Sequence, residues 1–162
     1  MDDAGSARLM RWFTQEWHTG ELSDEAHDAA FDAYHRHLSS LTQNVPVGAQ
    51  ELSRLNLHDG QVQEWKIDDG RFAWRMLIGD FQHGYEFADV VYFDAELVGM
   101  KPEALKRYEL DRQGRDLVSG ELDTTTDARL EHRFYFWPRP QFGVRFSDVT
   151  VMRLAAPPNM RR

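Results

Sequence analysis

Four short groups of histidine and acidic residues hold the side chains of this sequence that could do chemistry. They are His58–Asp59, His35-Arg36-His37, the helix-spaced set Asp28, Asp32 and His35, and Glu131–His132. The chain has no cysteine, which excludes thiol catalysis, disulfides and cysteine-ligated metals within it. P-loop, G-x-G-x-x-G, G-x-S-x-G and H-E-x-x-H signatures are also missing. The chemistry open to the four groups therefore depends on the elements that position them.

The pair His58–Asp59 is the most motif-like of the four groups. A carboxylate beside an imidazole orients the ring and raises its basicity, so the pair could bind a metal or share a proton. A His-Asp phosphohydrolase needs this pair on a helix, whereas Gly60 and a strand-like segment follow it here. We therefore expect a turn, in which Asp59 bonds nearby backbone amides and His58 bonds the neighbouring strand.

The groups around His35 lie in a segment with helical spacing. Residues two apart on a helix point about 200° away from each other, so His35 and His37 cannot hold one ion there. Asp28, Asp32 and His35 share a helix face and could hold a divalent ion weakly. We expect this face to be a solvated helix surface. We predict no metal and no cofactor.

Glu131 and His132 begin the segment with the clearest strand pattern. Large apolar residues alternate with other residues from 130 to 154, which indicates an antiparallel strand-turn-strand unit. His132 shares the face of Phe134 and Phe136. We therefore expect a buried histidine held by hydrogen bonds.

Helical patterns precede these strands in residues 1–56. Ser23 can cap a helix whose apolar stripe continues to Leu41. A shorter helix is predicted between Thr14, as its cap, and Gly20, as its stop.

Strand patterns fill residues 57–154. The predicted strands are 62–67, 71–78, 85–93, 105–110, 117–122 and two within 130–154. Short turns such as Asp69–Gly70 favour antiparallel neighbours, and the abundant aromatic residues of these segments predict a sheet packed by rings. The predicted fold is α+β, with N-terminal helices packed on one antiparallel, mostly meandering sheet of about five to seven strands. Residues 1–162 are predicted to form a single domain with a frayed tail, 155–162.

The charge of the chain is negative and uneven. The net charge is −8, of which residues 1–60 contribute −6 from ten Asp and Glu against four Arg. Such a surface repels nucleic acid and anionic membranes and accelerates encounter with a basic protein, although it could also serve solubility alone. The start, 1–6, is acidic and no long apolar run follows, so we expect a cytoplasmic protein that binds neither nucleic acid nor membrane.

Three segments resemble a bacterial domain family of unknown function. Residues 11–17 (RWFTQEW) resemble its aromatic-Phe-Thr-x-Glu opening, and Leu57-His58-Asp59-Gly60 resembles its Leu-His-Asp turn. Residues 130–134 with 144–149 are similar to its Glu-His-Arg closing hairpin. The resemblance implies an α+β fold and no established activity. Comparable small acidic domains occur among the immunity proteins of bacterial toxin systems.

We therefore expect a non-enzymatic protein-binding domain, in the manner of an immunity-type inhibitor. Its acidic helix face of Asp24, Asp28 and Asp32 would meet a basic protein partner. The alternative is a small-ligand-binding or hydrolytic domain with a pocket between helix and sheet. That pocket would use a cluster formed by His58, Asp59, Glu131 and His132. A self-associating module with an apolar strand edge is a third possibility, and the oligomeric state is left open.

Overall fold

The computed structural model describes residues 9–160, which form four helices and eight strands. The helices are α1 (Gln15–Thr19), α2 (Asp24–Leu41), α3 (Val47–Ser53) and α4 (Pro102–Lys106). The strands are β1 (Gly60–Asp68), β2 (Arg71–Asp80), β3 (Gly84–Phe93), β4 (Glu96–Val98), β5 (Asp116–Thr124), β6 (Leu130–Trp137), β7 (Gln141–Phe146) and β8 (Asp148–Ala155). All eight strands join one antiparallel sheet, which confirms the predicted α+β class. The predicted count of five to seven strands is wrong.

Two local features explain the larger sheet. Ser147 divides the last predicted strand into β7 and β8, and the short β4 adds another. The predicted strand 105–110 is absent from the described residues, because Pro102 begins α4 and a turn follows it. The acidic start, 1–6, and the last two residues of the predicted frayed tail lie outside residues 9–160.

The sheet consists of two meanders that fold over each other. Its strand order is β4-β7-β6-β5-β1-β2-β3-β8. Strand β3 continues into β4 after two residues, and β7 continues into β8 through Ser147. Because β3 pairs with β8 and β4 pairs with β7, the chain bends at these two points from one half of the sheet to the other. The half β1-β2-β3-β8 therefore faces the half β5-β6-β7-β4.

Aromatic rings fill the space between the two halves. Trp74 of β2 meets Phe134 of β6 at 4.6 Å between ring centroids, and the rings of Tyr92 and Phe146 lie 5.0 Å apart. Both pairs are edge-to-face, the arrangement that the ring quadrupole favours. The ring-based packing predicted for the sheet is thus the core of the fold.

A gap separates most of β1 from β5. These strands pair only where Gly60 and Gln61 meet Leu117 and Asp116, and β1 then diverges. The β5 edge beyond this point has no strand beside it among the described residues, so side chains satisfy its backbone. The Leu122 amide donates to the Tyr34 hydroxyl at 3.0 Å, which ties α2 to this edge.

A buried carboxylate on β5 fixes the segment before α1. Glu121 is fully buried, and its carboxylate accepts the backbone amides of Arg11 at 2.8 Å and of Trp12 and Phe13 at 2.6 Å each. The Arg133 guanidinium lies 3.4 Å from the same carboxylate. Burying a charge is costly unless donors surround it. The three amides and the Arg133 guanidinium are the donors that stabilise the buried Glu121 carboxylate. They hold the segment against the outer face of the sheet.

Arg133 of β6 and Arg145 of β7 form ion pairs on the same face. Arg133 bonds Asp123 at 2.9 Å and Glu131 at 2.8 Å, and Arg145 bonds Glu131 at 3.2 Å. Burial disfavours the charge of Arg133, but its ion pairs outweigh burial and raise its pKa. The Nε2 atom of His37 lies 3.0 Å from Asp123 without hydrogen-bond alignment.

Substitution Glu121→Gln tests this anchor. We expect it to lower the free energy of unfolding by about 3 kcal/mol, because an amide cannot accept three donors and leaves Arg133 under-compensated. Urea denaturation followed by tryptophan fluorescence measures the loss. The exposed Glu109→Gln, which removes only a surface pair with Arg112 at 3.6 Å, serves as the control and should cost less than about 0.5 kcal/mol. Equal effects of the two substitutions would contradict the anchor.

Candidate functional site

A mainly apolar hollow lies between α2, the end of α3 and the free edge of β5. Its volume is about 510 Å³, within the range typical of small-molecule sites. It is lined by Phe13, Trp17, Phe31, Tyr34, His35, Leu38, Leu52, Ser53, Arg54, Leu55, Asn56, Leu57, His58, Val118, Ser119, Gly120, Leu122 and His132. We refer to it as the α2–β5 cavity.

One wall of the α2–β5 cavity consists of aromatic rings on the N-terminal elements. Thr14 caps α1 by accepting the Trp17 amide at 3.4 Å, and the Trp17 indole N–H donates to the His27 carbonyl at 3.1 Å. The Phe13 ring packs edge-on against Trp17, with 4.8 Å between their centroids. Phe31 of α2 remains 47 % exposed although it lines the cavity. This wall is held in place by the Glu121 anchor, because Phe13 is one of the three anchored residues.

His132 provides a polar group in this mainly apolar lining. The side chain is buried, and its Nδ1 lies 2.9 Å from the Tyr92 hydroxyl. Its Nε2 has no hydrogen-bond partner among residues 9–160. Burial lowers the pKa of His132 to about 3, so the ring is neutral at pH 7. The expected buried, hydrogen-bonded histidine is therefore present, with one ring nitrogen left for a ligand.

Gly120 keeps the His132 ring accessible. A Cβ atom at this position would lie 3.0 Å from the His132 Nε2, closer than most side-chain contacts. The Gly120 backbone is not in the left-handed region, so the glycine is required here because a side chain would not fit and not because of a turn. The small residues Ser119 and Gly120 thus open the cavity where the predicted strand 117–122 would otherwise carry large side chains.

His58 lies in the expected turn and lines the same cavity. The turn is closed by the Gly60 amide, which donates to the Leu57 carbonyl at 2.9 Å, and Asp59 adopts a φ of 59°. The His58 Nδ1–H donates to the Val118 carbonyl at 2.5 Å, as expected for a contact with the neighbouring strand. Its Nε2 lies 3.5 Å from the Asp59 carboxylate.

Ser119 and His18 form a second polar contact at the cavity. The His18 Nε2 lies 2.8 Å from the Ser119 hydroxyl. Burial lowers the pKa of His18 to about 4, and the positive charges of His58 and His27 act in the same direction. A serine–histidine pair can activate a nucleophile when a third group orients the base. The His18 ring stacks on Tyr135, with 4.5 Å between the ring centroids.

The structure brings together only part of the predicted cluster. His58 and His132 line the α2–β5 cavity, and Asp59 lies beside His58. Glu131 points to the opposite face of β6, because successive side chains in a strand alternate, and it binds Arg133 and Arg145 there.

The other predicted residues lie on the surface of α2. Asp24, Asp28 and Asp32 are exposed, and the Asp28 carboxylate lies 3.6 Å from His27. No three His, Asp or Glu side chains in the described part of the chain are arranged to hold a metal ion. The aromatic wall and the role of Gly120 were not predicted from the sequence. The available signal was the pair Ser119–Gly120, which interrupts an apolar strand.

Comparison of the chain with protein-family models, curated proteins and solved structures gave no match. No helix within residues 9–160 is both long and apolar enough to span a membrane.

The neutral buried histidines predict acid sensitivity. In the unfolded chain these histidines take up protons below pH 6.5, whereas in the folded chain His132 and His18 do so only near pH 3 and pH 4. Their contribution to the free energy of unfolding is therefore complete above pH 6.5 and is lost as the pH decreases. Each histidine contributes a slope of up to about 1.4 kcal/mol per pH unit. Urea midpoints between pH 7 and 5 should decline less steeply in His132→Gln than in the unmodified protein. An unchanged slope in His132→Gln would contradict this origin.

Proposed function

We propose that this protein binds a small organic ligand with a ring or other apolar body in the α2–β5 cavity. The observation that carries the proposal is the Nε2 of the buried His132, which has no described partner and borders an aromatic-walled hollow of about 510 Å³. Mostly apolar walls with a few convergent polar groups are typical of ligand sites. A neutral imidazole can direct one hydrogen bond to such a ligand.

The polar contacts of the cavity favour binding over catalysis. Tyr92 holds one nitrogen of His132, and burial keeps this ring neutral, so it is a poor base at pH 7. The low pKa of His18 likewise makes it a weak base for Ser119. The Nδ1–H of His58 is engaged with the Val118 carbonyl. Neither His132 nor His18 therefore provides a strong base for Ser119 at pH 7.

Filling the cavity tests the proposal. We expect a library of small ring compounds to contain ligands that bind saturably in ligand-observed NMR titrations, and Leu38→Trp to abolish their binding because the larger ring occupies the hollow. Val47→Trp adds the same ring at a position that is 70 % exposed, and should leave binding unchanged. Gly120→Val provides a second filling variant if Leu38→Trp does not fold. Binding that survives both filling variants would place the ligand elsewhere and reject the proposal.

A second candidate function is docking of a basic protein on the acidic face of α2. Asp24, Asp28 and Asp32 are exposed at spacings that place them along one side of the helix, and the half-exposed Phe31 lies beside them. An exposed aromatic residue next to charged residues of one sign is typical of an interface anchor with its rim.

Charge reversal tests the docking candidate. We expect a basic protein to be recovered from the native host lysate at low salt, and to be lost at high salt or when Asp24, Asp28 and Asp32 are all changed to Lys. A matched variant reverses three exposed acidic residues elsewhere, Glu51, Glu103 and Asp111, and should retain the partner. Circular dichroism verifies that both variants fold. Equal recovery by the two variants would argue against docking on this face.

A further inference from the structure

We infer that the ligand of the α2–β5 cavity is a monoanion, a ring compound with one carboxylate that binds at Arg54. This inference rests on the proposed function and specifies the class of its ligand. It follows from the charges of the lining, from the guanidinium of Arg54, and from the mainly apolar residues that form the rest of the lining.

The lining contains no carboxylate among the described residues, although the protein is acidic. The chain has 27 Asp and Glu against 19 Lys and Arg, yet the ionisable side chains of the lining, tyrosine aside, are Arg54, His35, His58 and His132. A cationic ligand would be partly desolvated in this cavity without a counter-ion in its wall, which is unfavourable. The lining is therefore complementary to a negative or neutral ligand.

Arg54 supplies the permanent positive charge. It follows α3, where its backbone amide donates to the Glu51 carbonyl at 3.1 Å and fixes the start of its side chain. Its guanidinium makes no ion pair with a described residue, unlike those of Arg75 and Arg133. The side chain is exposed, so its charge stays solvated until a ligand arrives. A guanidinium has the fork geometry that binds a carboxylate through two parallel hydrogen bonds.

Asn56 lies two residues after Arg54 in a lining that is otherwise mainly apolar. The Asn56 side-chain oxygen accepts the His58 amide at 3.1 Å, which leaves the Asn56 amide hydrogens to donate to an anion. Leu122 and the neutral His132 border the part near Gly120, where a second charge would be poorly solvated. A ligand with an apolar ring and one charged end matches this lining, with its carboxylate bound at Arg54.

Acidic residues outside the lining oppose this preference: Asp28 and Asp32 of α2, Asp59 beside His58, and Asp80 and Glu86, which border a neighbouring hollow together with Arg54. Asp28 and Asp32 are exposed and are not part of the lining, so salt screens their effect on a bound anion more strongly than it screens a direct contact with Arg54. Measurements at physiological ionic strength, where the Debye length is about 8 Å, therefore reduce the contribution of exposed charges that do not contact the ligand.

Three matched probes test the inference: naphthalene-carboxylate, naphthalene-carboxamide and naphthylmethylammonium. Their affinities are measured by ligand-observed NMR titration at pH 7.5 in physiological salt. We expect the carboxylate to bind about fivefold or more tightly than the carboxamide, and the ammonium most weakly. Arg54→Gln should remove the difference between carboxylate and carboxamide. Arg36→Gln removes an exposed arginine outside the lining and should preserve it.

The outcomes separate this inference from the proposed function. Equal or tighter binding of the carboxamide or the ammonium, abolished by Leu38→Trp, would overturn the anionic ligand class and leave the cavity as a binding site. The anionic class is likewise overturned if Arg54→Gln and Arg36→Gln weaken binding of the carboxylate equally. Absence of saturable binding by all three probes and by the wider ring-compound library would overturn the proposed function itself.

Discussion

The buried carboxylate of Glu121 is the constraint on which the rest of this structure depends. It has no solvent to stabilise its charge, so it must be surrounded by donors. Three consecutive backbone amides from residues 11–13 and the guanidinium of Arg133 meet this requirement. The consequence is that a segment more than a hundred residues away in sequence is fixed to the outer face of β5.

The α2–β5 cavity follows from this constraint and from the path of β5. The outer face of β5 holds Glu121 and Asp123, while its free edge and small residues border the cavity. Phe13 belongs both to the anchored segment and to the cavity wall. Tyr34 connects α2 to the same strand through the Leu122 amide. Strand β5 thus positions both walls of the cavity. The shape of the cavity therefore depends on the charged contacts on the outer face of β5.

Local sequence signals predicted α1, α2 and most strands because the chemistry involved is local, whereas α3 was not predicted. The Ser23 side chain accepts the Ala26 amide at 3.2 Å, and the helix that it caps ends at Leu41, as the apolar stripe indicated. Asp69–Gly70 joins β1 and β2 in a tight hairpin. His132 is buried among the core aromatic residues. The alternating pattern of the strand was sufficient to predict this burial.

The anchor and the cavity could not be predicted in the same way. Alternation predicts which side of a strand Glu121 occupies, but not that a distant segment covers that side. The cavity arises because β1 leaves β5 after two residue pairs, and pairing between strands remote in sequence has no local signal. Glu131 was grouped with His132 by proximity in sequence, although the alternation of a strand places adjacent side chains on opposite faces, as the structure shows for these two residues.

Native-state hydrogen exchange of the Trp12 and Phe13 amides measures the central constraint most directly. If the Glu121 carboxylate holds these amides as described, they exchange only when the sheet unfolds, with protection equal to that of core amides in β5 and β6. Exchange as fast as that of amides in the exposed turn 111–114 would contradict the account, since the segment would then not be anchored by the buried charge.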